Sequence, residues 1–164
     1  MRILGIDPGL ALVGYGVIDY EGGRYKLLTY GCVSTAAHSP LPQRLRSIHT
    51  GVKQLMDMYQ PDDVAFEELF FVKNITTGID VAQARGAALV AVAEQTESIY
   101  EYTPMQIKQA ITGYGKADKP QMQAMVKLLL GLDAVPRPDD AADALAVAIT
   151  HANSSHAKEL FKVK

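Results

Sequence analysis

Residues 5–16 read GIDPGLALVGYG, and this stretch decides the architecture. Ile3, Leu4 and Ile6 make the apolar run of a buried first strand, but Asp7 closes it and Pro8-Gly9 follows at once. A carboxylate at the end of a core strand is costly unless it is paired or holds a cation. Beyond it, GYGVIDY (14–20) and YKLLTYGCV (25–33) read as two further strands joined by the Gly-Gly turn of EGGR. The chain therefore opens with three consecutive strands.

The remainder alternates between helix and strand. Leu41, Leu45, Ile48, Val52, Leu55, Met56 and Tyr59 recur at helical spacing, and Pro61 ends that pattern. VAFEELFF (64–71) reads as a strand. Residues 76–96 form a long helix, apolar on most sides around Ala87–Ala93, which must bury more than one face, partly against a second subunit. SIYEYT (98–103) is a strand, Pro104 opens a short helix through Ile111, and Thr112–Gly115 is a loop. Asp118 caps another helix that Gly131 ends, and DDAADALAVAITHA forms the last. A β-β-β run followed by alternating α and β implies a mixed sheet with helices on both faces. The whole is expected to be one domain over residues 1–152, with a mobile tail over 153–164 that has little core-forming pattern.

The chain of 164 residues is long enough for a real core. A single cysteine, Cys32, excludes an internal disulfide framework and fits a reducing compartment. The longest helical apolar run, GAALVAVA (86–93), is too short to span a bilayer, so no membrane association is expected and the cytoplasm is the default location. A net charge of −2 argues against indiscriminate nucleic-acid binding, but the charges are segregated. Residues 57–68 carry five acids and no base, whereas residues 104–127 carry four lysines against one aspartate. That separation suits a protein that grips a polyanion and also holds divalent cations.

Asp7 ends the first strand and Glu67 or Glu68 ends the fourth. Parallel neighbours would lie about 4.8 Å apart, so Asp7 and one of the two glutamates could reach a common cation. Strand alternation lets only one of them do so, and spacing alone does not say which. Asp139, Asp140 and Asp143 open the last helix, where Asp140 and Asp143 share a face. Singly, each signal is ordinary: acids favour a first helical turn, and Asp-Pro-Gly makes a common turn. Together they supply an oxygen-only ligand set, suited to Mg²⁺ or Mn²⁺ rather than zinc. Paired ions of this kind catalyse in-line phosphoryl displacement.

GIDPGLALVGYGVI, FEELFFVKN, QARG, YTPMQIKQAITGYGKADK and DDAADALAVAITH follow one another in order. In these motifs residues 1–152 resemble the RuvC family of bacterial Holliday-junction resolvases. The resemblance implies an RNase H-like fold, a five-stranded mixed β-sheet flanked by α-helices, acting as a homodimer. It implies Mg²⁺-dependent nicking of two opposed strands at a four-way DNA junction, with two ions per subunit and Mn²⁺ as a substitute. The family's acidic tetrad falls on Asp7, Glu67, Asp140 and Asp143, which selects Glu67 over Glu68 and Asp140 over Asp139. A DNA-distorting aromatic falls on Phe70, and DNA contacts fall on Lys73, Asn74, Lys108 and Lys119. Coupling to the RuvA–RuvB branch-migration machinery is implied in the same way. A phosphotransferase of the actin-like kind also carries an Asp-x-Gly turn after its first strand, but those enzymes need two such domains. A junction-binding module without chemistry would have little reason to keep four clustered acids. His49 is expected to be structural, and His38, His151 and His156 have no acidic or thiol neighbour at ligand spacing.

Overall fold

The computed structural model describes residues 1–69 and 75–164. Three strands lead, β1 (Arg2–Asp7), β2 (Leu12–Glu21) and β3 (Arg24–Ser34), followed by helix α1 (Leu41–Tyr59). Then come β4 (Asp63–Glu67), α2 (Ile75–Ala93), β5 (Ile99–Tyr102), α3 (Pro104–Thr112), α4 (Lys119–Leu129) and α5 (Asp139–Asn153). The sheet order is β3-β2-β1-β4-β5. β1 is antiparallel to β2 and parallel to β4, β2 is antiparallel to β3, and β5 is parallel to β4. The mixed five-stranded sheet expected from the sequence is the one observed.

Strand alternation splits the core in two. Leu4, Ile6, Val13, Val17, Val64 and Phe66 face α1 and α2, whereas Ile3, Ile18 and Ala65 face α5, with α3 and α4 behind it. On β1, Gly5 and Asp7 share the parity of Ile3, so both belong to the α5 side. α5 is buried almost throughout, from Ala141 to Ala152, and its small residues let it lie close to the strands. Contact is so tight that a methyl group at Gly5 would sit 2.1 Å from the Ala144 carbonyl oxygen, and one at Gly14 2.0 Å from that of Asp140. Only glycine fits at either place.

β4 is shorter than the run VAFEELFF suggests. It stops at Glu67, because its partner β5 ends at Tyr102, the residue paired with Glu67. The Glu68 amide still donates to the Tyr102 carbonyl at 2.9 Å, and Leu69 is already part-exposed. Asp118 and Thr103 cap α4 and α3 through reciprocal boxes with Gln121 and Gln106.

His151 is fully buried, with its two ring nitrogens hydrogen-bonded to Tyr102 Oη (2.8 Å) and Asp63 Oδ2 (2.9 Å). Burial pushes the Asp63 carboxyl up, but hydrogen bonds from His151 and Lys158 outweigh it and hold the group below the ordinary carboxylate range. After α5 a 3-10 segment (Ser155–Phe161) packs back on the sheet. Lys158 Nζ donates to Asp63 at 2.8 Å, Phe161 lies against Tyr102, and the Val163 amide donates to the Ile99 carbonyl on β5. His49 bridges α1 to Glu94, just past α2, at 2.9 Å.

The Gly5→Ala variant is expected to lose about 1–3 kcal/mol or more of stability, since overpacking against backbone has no soft neighbour to yield. Urea denaturation of the two proteins side by side measures it; an unchanged midpoint would contradict the close packing of α5.

Candidate active site

The end of β1 meets the start of α5 over a gap in the side chains of β2. Asp7 pairs across the sheet with Gly14, and Asp140 sits directly over that glycine. With no side chain at Gly14, the first turn of α5 drops to the level of the Asp7 carboxylate. On the other side of Asp7, Ile6 is in register with Phe66, which places Glu67 beside Asp7 on the parallel strand β4. Glu67 shares the parity of Ala65 and thus the α5 face; Glu68 lies beyond the strand. Asp143 follows one helical turn after Asp140.

These acids act on one another. Burial, followed by the charges of Glu67, Asp143 and Asp140, pushes the Asp7 carboxyl up to about 9. The two carboxyls also interact by hydrogen bonding, which raises Asp7 and lowers Glu67. Glu67 is raised as well, by burial and then by Asp143, while the bond from Asp7 and the ammonium groups of Lys108 and Lys119 pull it back. Asp143 is raised by burial in spite of Lys119, whose Nζ stands 3.4 Å from Asp143 Oδ2. Asp139 behaves differently: hydrogen bonding from Lys119 lowers it, and Gln123 and Arg137 add to the effect.

Two clefts meet at this cluster. A polar one of about 290 Å³ is lined by Glu67, Lys108, Lys119, Met122 and Asp143. An apolar one of about 530 Å³ runs beside Asp7 and Glu67, walled by Pro8, Leu69, Ile75, Ile79 and Pro104. The structure thus brings Asp7, Glu67, Asp140 and Asp143 to one end of the sheet, with Lys108 and Lys119 at its rim. Phe70, Lys73 and Asn74 lie outside the described residues.

Buried, mutually repelling carboxylates are the donor set that a hard divalent cation neutralises. Among the described residues no three side chains already stand in cation-binding geometry. Asp143 instead leans on the Lys119 ammonium. Cys32, paired with Gly14 on β3, is kept as a thiol by burial and by the nearby Asp140 and Asp7, which push it up to about 11.

Residues 3–151 match the family model described as crossover junction endodeoxyribonuclease RuvC. The chain belongs to the RuvC family. The RuvC protein of Alkaliphilus metalliredigens is 54% identical over 164 residues, covering the whole of both chains. That of Desulforamulus reducens is 56% identical over 155 residues, 94% of this chain and 95% of the other. Among solved structures, Thermus thermophilus RuvC in complex with a Holliday junction substrate superposes with a TM-score of 0.90 at 40% identity, covering 94% of each chain. A fowlpox virus resolvase at 14% identity, with a TM-score of 0.62, shares the fold. The fold is the RNase H-like one of RuvC nucleases, as the resemblance implied.

Because Asp7 holds in the folded state a proton that it loses in the unfolded chain near 3.8, stability should fall as pH rises from there towards about 9. Asp7→Asn removes that penalty and is expected to stabilise the metal-free protein at neutral pH by roughly 1–3 kcal/mol. Thermal unfolding in a chelator, at acid and at neutral pH, checks it; a variant less stable than wild type at neutral pH would refute it.

Proposed function

We propose that this chain is a crossover junction endodeoxyribonuclease, which resolves four-way DNA junctions in recombination and repair by nicking two opposed strands. The observation that carries this is the convergence of Asp7, Glu67, Asp140 and Asp143, under a rim of lysines, in a member of the RuvC family. Divalent cations of the Mg²⁺ kind, two per subunit, held by these four acids, would supply activation of the attacking water and charge relief at the leaving oxygen. Mn²⁺ has the same oxygen preference and would substitute.

The protein's own groups prepare that chemistry. Asp7 and Glu67, fixed on adjacent strands, and Asp140 and Asp143, fixed by the seating of α5, form an acidic floor in which the burial of Asp7 and Glu67 strengthens their charge interactions. Lys108 and Lys119 stand at the edge of the polar cleft, where a DNA phosphate would enter. Hydrolysis then breaks the bond between phosphorus and the 3′ oxygen, leaving 3′-hydroxyl and 5′-phosphate ends. Phosphate contacts of this kind release counterions, so junction affinity should fall with salt. Phe70, Lys73 and Asn74 complete the DNA contacts in this reading.

Helix α2 supports a homodimer. Ile75, Ile79 and Val90 are exposed at helical spacing while Ala84, Ala88, Ala91 and Val92 are buried in the subunit. An apolar stripe opposite the buried one is the face that a second copy would cover. Two sites related by a twofold axis match a four-way junction of near-twofold symmetry. No described helix is long and apolar enough to cross a membrane, and a cytoplasmic place alongside RuvA–RuvB fits an enzyme of chromosomal DNA.

Asp7→Asn should bind a synthetic four-way junction like wild type in a chelator, yet nick it at least about 100-fold more slowly in Mg²⁺. Nicking at the wild-type rate would remove Asp7 from the cation site. Val90→Asp should sediment as a monomer and lose paired nicking of opposed strands; a stable dimer would move the interface away from α2.

A further inference from the structure

Asp139 opens α5 beside the catalytic acids, but the charges that press on Asp7 come from Glu67, Asp143 and Asp140. The partners of Asp139 are all donors. Its Oδ1 accepts from Gln123 Nε2 at 3.0 Å and from Arg137 Nη1, and its Oδ2 lies 3.2 Å from Lys119 Nζ. Gln123 and Lys119 are four residues apart on α4, so one carboxylate clamps two side chains on a single face of that helix. Gln123 is buried, which fixes the clamp at one end. At the other end the Lys119 side chain is half exposed and its ammonium is shared with Asp143 at 3.4 Å.

Sharing has a physical consequence. If Asp143 were its only counter-charge, the ammonium would settle there and compete directly with a cation for that carboxylate. Once displaced, a flexible four-carbon stem would swing into solvent. With Asp139 as a second counter-charge outside the acidic floor, Lys119 can release Asp143 and remain at the cleft. The polar cleft is lined by Lys108, Lys119, Glu67 and Asp143, so an ammonium held there also stays in reach of an incoming phosphate.

We propose that Asp139 is a positioning residue that tethers Lys119 at the rim of the active site, so that the lysine yields Asp143 to a cation without leaving the cleft. This rests on the nuclease reading above. It gives a role to an acid that the family pattern passes over.

The test is a double-mutant cycle on the full chain, with Mn²⁺ binding followed by calorimetry in the absence of DNA. Asp139→Asn should weaken Mn²⁺ binding about 3–10-fold, and in a Lys119→Ala background the same change should have less than about a twofold effect. Asp139→Glu should recover most of the affinity, and thermal midpoints close to wild type confirm folding. An equal loss in both backgrounds, or no loss in either, overturns the tether. Failure of the wild-type chain to nick a four-way junction in Mg²⁺ would instead overturn the nuclease reading. The two failures are read from separate measurements.

Discussion

At two glycines of the sheet helix α5 makes contact through its backbone, and that contact governs where the acids stand. At Gly5 and Gly14 the helix carbonyls of Ala144 and Asp140 occupy space that any other residue would fill. Raising the helix by the width of a methyl group would lift Asp140 and Asp143 away from Asp7 and Glu67. The depth of the site is therefore set by the absence of two side chains on the strands below it. Packing in this region is stiff, because the neighbouring atoms are main chain and cannot rotate aside.

The same seating creates the electrostatic tension of the cleft. Burial pushes the carboxyls of Asp7, Glu67 and Asp143 up, and the Lys119 ammonium beside Asp143 relieves part of that strain. A cluster of buried carboxyls is one the bare fold tolerates rather than prefers.

Much of this was legible in the sequence. The Asp7-Pro8-Gly9 break after an apolar run located the first acid, and the β-β-β opening predicted the sheet. The parity of Ile3, Gly5 and Asp7 was present too, but which face carries α5 is a long-range fact that no local pattern encodes. The resemblance selected Glu67 over Glu68, but spacing alone could not, since that needs the face of α5 and the end of β4; the apolar LFF beyond the acids concealed where the strand stops, because the limit comes from the length of β5. Asp139 could not be placed by spacing, since Lys119 and Gln123, which hold it, lie on another helix. Along the chain His151 has no acidic neighbour at ligand spacing; Asp63 reaches it across 88 residues through the fold. The residues after Asn153 lack a core pattern, yet Phe161 and Lys158 find partners on β5 and β4 because the sheet edge offers them.

That last contact carries a consequence for assembly. β5 is an outer strand of only four residues, and Lys162 and Val163 lie along it, with bonds to Tyr100 and Ile99. They occupy hydrogen-bonding groups that would otherwise invite a strand from a neighbouring molecule. A chain cut short before Lys162 would offer a bare rim along which molecules add to one another in open-ended rows.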